Sequence, residues 1–103
     1  MTTYEYLLDR KNNNLPVVPE RIVCAANRTW DGIIIGVRHA DEMMCWTARN
    51  IGVKLTNTQQ GFYTNWQRFV SREEAMIIAR EQGQLFHPDG THNPDVLYSE
   101  CLY

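Results

Sequence analysis

The residues best placed to do chemistry are Arg38, His39 and Asp41, in the run Gly36-Val37-Arg38-His39-Ala40-Asp41 that follows the β-branched segment Ile33-Ile34-Ile35. A strand that ends here and a helix that begins here would set a guanidinium and an imidazole beside the unpaired N–H groups of a helix start. That arrangement suits a phosphate or a carboxylate. The same residues admit a structural reading, in which an Arg38–Asp41 or Arg38–Glu42 ion pair fixes the connection and His39 caps the helix. At the level of sequence both readings stand.

Other chemistry is less well supported. Cys45 or Cys101 with His39 could build a thiolate nucleophile, and Ser71 or Ser99 with a histidine a hydroxyl one, yet none lies in a nucleophile-elbow or comparable motif. Glu73, Glu74 and Glu100 offer carboxylates for proton transfer, although paired glutamates at a helix start ordinarily serve the macrodipole. His87, Asp89, His92 and Asp95 match no zinc or calcium spacing, and Pro88, Gly90 and Pro94 interrupt them, so a solvated loop is expected there and no metal. Trp30, Trp46, Tyr63, Trp66, Tyr98 and Tyr103 could supply faces on which a base stacks, but most are needed for a core. An enzyme is therefore the less supported class, and neither a catalytic residue nor a cofactor is assigned.

Composition narrows the partners. The formal charge is −2 and no run of Lys or Arg occurs, so the electrostatic footprint of a duplex nucleic-acid binder is missing. The longest apolar stretches fall far short of a bilayer span, and the first residues lack the basic-then-apolar layout of a secretory signal, which points to the cytoplasm. Cys24, Cys45 and Cys101 are odd in number and widely spaced, as expected of reduced thiols rather than a disulfide framework. Cys24 reads as a small buried hydrophobe.

The elements that must position these residues are those of a small α+β domain: an antiparallel sheet of two hairpins packed by two helices. At 103 residues, with 44% hydrophobic and 21% charged residues, the chain affords one packed core. Residues 4–9 could form a short helix or strand, and Asn12-Asn13-Asn14 with Pro16 and Pro19 then break regular structure. Residues 1–20 thus read as an arm and 21–103 as a single domain. Residues 21–28 and 33–37 read as a hairpin closed at Asp31-Gly32, with Gly36 marking a bulge or a close backbone approach. Asp41 to Asn50 suits a helix that stops before Gly52. Gly61 to Val70 reads as a second hairpin turning at Thr64-Asn65. Ser71 with Glu74 forms a capping box, which predicts a helix from Arg72 to about Gln82. The apolar end, Val96 to Tyr103, should dock as a strand or against a partner.

In ordered combination, Gly36-Val37-Arg38-His39 with Asp41, Gly61-Phe62, Phe69 with Arg72-Glu73-Glu74-Ala75, Ile78-Ala79, Gly83-Gln84 and Leu97-Tyr98-Ser99-Glu100 with Leu102-Tyr103 resemble a family of small, largely uncharacterised phage and bacterial proteins. The chain departs from that pattern in its first twenty residues, at Cys101 where Asn is expected, and at Thr64-Asn65-Trp66-Gln67, which replaces a more polar, glycine-containing turn. Small phage proteins often counter host defence, some by sequestering a nucleotide second messenger without degrading it. The resemblance therefore implies a binder of a cyclic or ADP-ribose-type nucleotide, acting as a homo-oligomer. Arg38 would hold phosphate, His39, Asp41, Gln84 and Glu100 would meet base or ribose, and Tyr98 would stack. A nucleotide-processing hydrolase and an inhibitor or adaptor that binds a host protein are the alternatives.

Overall fold

The computed structural model describes residues 3–85, 95–99 and 102. Helix α1 spans Thr3–Asn12, strand β1 Ile22–Arg28, strand β2 Ile33–Gly36 and helix α2 Glu42–Ile51; a single 3-10 turn, Leu55–Asn57, leads to strand β3 Gln59–Thr64, strand β4 Phe69–Ser71 and helix α3 Arg72–Glu81. The strands form an antiparallel sheet in the order β2-β1-β3-β4, so the expected α+β architecture of two hairpins and two packing helices is the one observed.

Register decides what each face of the sheet does. Ala25 lies between Gly36 of β2 and Phe62 of β3, and Asn27 lies opposite Ile34. Ala25, Ile34 and Phe62 belong to the core that α2 closes with Met44 and Ala48 and α3 with Ala75, Ile78 and Ala79. Small alanines bring α3 close to the sheet, as the sequence predicts. On the opposite face, Ile33 and Ile35 are 41% and 46% exposed. Gly61 is obligatory there: a Cβ would collide with the Val70 carbonyl oxygen and lie 2.5 Å from Phe69 Cζ, so the Phe69 ring lies across the glycine. The Arg28 guanidinium covers that ring at 4.6 Å.

The third helix carries the N-terminal cap its sequence specifies. Ser71 Oγ accepts from the Glu74 N–H at 3.2 Å, and α3 ends at Gly83, whose φ of 65° suits a residue without Cβ. The second helix closes at Gly52, with φ 74° and a hydrogen bond from Val53 N–H to Ala48 O. The bulge lies in β1, between Ile22 and Cys24, and Gly36 instead permits a close approach. The second hairpin turns over Asn65–Arg68, with Gln67 at φ 59°. Residues 4–9 belong to α1. Among the described residues no helix is long and apolar enough to cross a membrane.

The arm is bound at one end of the sheet. Glu20 accepts from Arg68 Nε and Nη2 at 2.6 and 2.7 Å and from Thr64 Oγ1 at 2.8 Å, and Glu74 accepts from the same guanidinium at 2.8 Å. The Glu20 carboxylate, and then Glu74, push the Arg68 guanidinium up despite its partial burial. Asn65 Nδ2 donates to Pro19 O, Trp66 Nε1 to Val18 O, and the Tyr6 and Trp66 rings stack with centroids 4.9 Å apart.

Candidate functional site

The turn from β2 into α2 is built around one carboxylate. Asp41 Oδ1 accepts from Met44 N–H at 2.8 Å, and Oδ2 accepts from the N–H groups of Val37 and Arg38 at 2.7 and 3.0 Å. Partial burial pushes this carboxyl up, but the Met44, Arg38 and Val37 N–H groups outweigh it and, with His39, hold the group below the ordinary carboxylate range. Gly36 makes the room: a Cβ there would lie 2.6 Å from Asp41 Oδ1 and 3.1 Å from Arg38 O. The chain closes the turn by holding Ala40 at φ 57°, a left-handed conformation that costs an L-residue about 1–2 kcal/mol. Asp41, not His39, is therefore the helix cap. The Val37, Arg38 and Met44 N–H groups thus already bind an internal anion.

His39 spans β1 to reach β3. Its Nε2 lies 2.6 Å from Gly61 O and its Nδ1 2.5 Å from Ser99 Oγ, and its backbone N–H donates to the same hydroxyl at 3.2 Å. A carbonyl only accepts, so Nε2 carries the proton; in the neutral ring Nδ1 then accepts from the Ser99 O–H. The imidazole meets Phe62 edge-on, centroids 4.9 Å apart, and Ala25 between Gly36 and Phe62 has only a methyl to obstruct the crossing. Ser99 is 3% exposed and His39 is half-buried, so this serine–histidine pair is a strut that ties residue 99 to the sheet.

Among the described residues near the chain's end, Leu97, Tyr98 and Leu102 pack on the helix-covered core and none lies in a strand. Leu97 is fully buried; its N–H donates to Arg72 O at 3.0 Å, and its carbonyl accepts from Arg72 Nη1 at 2.7 Å. Arg72 Nη2 donates to Gln60 Oε1 at 2.6 Å, and the guanidinium lies 4.8 Å from the Tyr98 ring centroid. The fold thus brings His39, Tyr98 and Ser99 into one neighbourhood, with Arg72 as the added member. Gln84 is engaged elsewhere, next to the bulge in β1, where its amide accepts from Ile22 N–H and donates to Ile22 O, both at 2.9 Å. Arg38 is exposed. Glu100, Cys101 and the loop ligands His87, Asp89 and His92 lie outside the described residues. Cys24 is half-buried, and burial, followed by the nearby Asp41 charge, pushes its thiol up. Among the described residues no cluster of three or more metal-type side chains occurs.

A second region forms an open cleft on the surface. Thr29, Trp30, Gly52, Val53, Lys54, Asn57 and Thr58 line an open space of about 390 Å³, within the range of small-molecule sites. Trp30, in the turn between β1 and β2, is 93% exposed. Beneath the cleft, Asn27 is buried and donates to Thr58 Oγ1 at 2.7 Å, while its Oδ1 has no partner. The lining offers an aromatic face, one ammonium, and neutral hydrogen-bonding groups from Thr29, Asn57 and Thr58. The indole is a candidate from sequence, but Lys54, Asn57 and Thr58 are not, because only the fold brings residues 52–58 up to the β1–β2 turn.

Comparison with protein-family models matches residues 21–103 to the family described as Phage T4 y16D protein. No curated protein and no solved structure matches the chain.

Proposed function

The chain belongs to the phage T4 y16D protein family, and on that premise we propose that it is a phage-encoded binding protein that captures a nucleotide signal of the host, cyclic or of the ADP-ribose type, and holds it without cleaving it. The observation that carries this reading is the exposed Trp30 at the mouth of a cleft that also holds Lys54. A base has a π-face for the indole, and base–aromatic stacking is worth about 1–3 kcal/mol. A phosphate has charge for the ammonium, and ribose or base edges have donors and acceptors for Thr29, Asn57 and Thr58.

Binding is favoured over turnover by what the histidine does. Both ring nitrogens of His39 are engaged, by Gly61 O and by Ser99 Oγ, and that hydroxyl is buried, so neither group is poised for an external substrate. No carboxylate, imidazole or thiol belongs to the lining of the Trp30 cleft among the described residues.

The test is calorimetric titration of the protein with cyclic mono- and dinucleotides and ADP-ribose, followed by chromatography of the bound compound. One compound should bind and be recovered intact. Trp30→Ala and Lys54→Ala should each weaken it at least tenfold with unchanged melting temperature, since both side chains lie outside the core. Undiminished affinity in both variants would refute the site, and conversion of the compound would replace the binder by an enzyme.

A further inference from the structure

The polarity of the Trp30 cleft is set by hydrogen bonds made behind it. A hydroxyl has one hydrogen and two lone pairs. Thr58 Oγ1 gives its hydrogen to Leu55 O at 2.6 Å and accepts from Asn27 Nδ2 at 2.7 Å, so what it has left for the cleft is one lone pair and no hydrogen. Thr29 is in the same state. Its hydrogen is shared between Asp31 Oδ1 and Gly32 O, at 3.1 and 3.0 Å, and the Asp31 N–H, at 3.4 Å, takes no more than one of its lone pairs.

The backbone of these residues supplies no donor to offset them. The N–H groups of Thr29, Gly52, Val53, Asn57 and Thr58 are engaged by the carbonyls of Gly32, Arg49, Ala48, Lys54 and Leu55. Behind Thr58, Asn27 is 1% exposed and nothing among the described residues donates to its Oδ1, so the surplus in this wall is again an acceptor. The side-chain donors of the lining, on Trp30, Lys54 and Asn57, belong to exposed residues, whereas Thr29 is buried and Thr58 half-buried. The cleft therefore accepts hydrogen bonds at its inner wall and donates them at its rim.

We infer that the ligand of this cleft turns an N–H donor edge inward, that in a nucleotide this edge is the amino group of an adenine or guanine base, and that Thr58 is the residue that selects it. The inference rests on the nucleotide reading proposed above and adds to it the choice of base. An amino hydrogen meets the lone pair that Thr58 has left. Hypoxanthine, which has oxygen where adenine has its amino group and only hydrogen where guanine has its own, either sets a lone pair against that lone pair or leaves it unmatched. A site built to hydrogen-bond an N–H group rejects a near-isostere that lacks it by this means. With the base edge inward, the phosphate stays outside, within reach of the Lys54 ammonium at the rim.

The test is a titration of the full chain with matched pairs of compounds, followed on the NMR resonance of the Trp30 indole N–H, which is identified by its loss in Trp30→Phe. The pairs are ADP-ribose against its hypoxanthine counterpart, and the cyclic dinucleotides of adenine and of guanine against that of hypoxanthine. In at least one pair the amino-bearing compound should bind about tenfold tighter or more. Thr58→Val keeps the shape of the side chain and removes the lone pair, so it should bring that ratio close to one. The wild-type comparison needs no variant and decides the matter by itself where Thr58→Val weakens the fold. Equal affinities within every pair, or a ratio unchanged in a folded Thr58→Val, would overturn the inference and leave the nucleotide reading standing. No shift of the Trp30 resonance with any of these compounds would overturn both.

Discussion

Replacing Gly36 by alanine tests whether the β2–α2 turn is organised around the Asp41 carboxylate. The added Cβ would sit 2.6 Å from Oδ1 and 3.0 Å from Cγ, so the carboxylate must retreat by the better part of an ångström from bonds now 2.7–3.0 Å long. Overpacking of this kind costs about 1–3 kcal/mol and loss of a cap about 1 kcal/mol, offset in part by the lower entropy alanine brings to the unfolded chain. The net expectation is a loss of about 2–3 kcal/mol, or roughly 10–20 °C in Tm for a domain of this size. Asp41→Ala alone should cost about 1–2 kcal/mol. In the double variant the collision with the carboxylate disappears and only the Arg38 carbonyl, 3.1 Å away, still resists the methyl. The double variant should therefore be no less stable than Gly36→Ala, with a coupling of about 1–2 kcal/mol. Urea unfolding followed by tryptophan fluorescence supplies all four free energies. Additivity within about 0.5 kcal/mol would refute the reasoning.

Asp41 also predicts a pH dependence: its carboxyl lies below the ordinary range when folded, so its contribution is present above about pH 4 and is lost as pH falls through the folded value. Asp41→Asn should flatten the fall of Tm below about pH 4, and parallel wild-type and variant curves would contradict that. His39→Ala leaves Gly61 O and Ser99 Oγ without the imidazole, for an expected loss of about 2–3 kcal/mol and faster proteolysis near the chain's end, with Ser99→Ala the milder variant. Ala40→Gly relieves the left-handed backbone and should raise stability by about 0.5–1 kcal/mol in the same urea assay. Trp66→Ala should release residues 1–20 to limited proteolysis while residues 21–103 resist, and equal resistance of the arm would show that the indole does not hold it.

Local rules make much of the fold legible. The capping box Ser71-x-x-Glu74 and the stop at Gly83 fix α3 to within a residue, because caps are short-range chemistry. The β-branched run after Asp31-Gly32 gives the first hairpin for the same reason. The cap of α2 is not legible, since choosing Asp41 over His39 depends on Ala40 accepting a left-handed backbone that alanine disfavours. In the sequence Arg72 is no more than the first residue of a helix; its bonds to Leu97 and Gln60 join segments far apart in the chain. The same holds for the Trp30 cleft. Gln84 and His39 carry polar groups that the sequence offers to a ligand, and the fold commits them to backbone groups of Ile22 and Gly61. A polar side chain does not announce whether its partner is the chain itself.

The stack of Tyr6 on Trp66 joins the arm, which lies outside the residues matched to the family, to the Thr64–Gln67 turn, which lies inside them. Two segments that touch in this way behave as one part. A relative without the arm has no ring to cover an indole at that turn and is better served by a small polar residue; a relative given the arm alone has nothing for Tyr6 to rest on. Transplanting this segment onto another member should therefore succeed only when the tryptophan-bearing turn travels with it, and deleting it here should call for a polar replacement of Trp66 to keep the shortened protein from self-association.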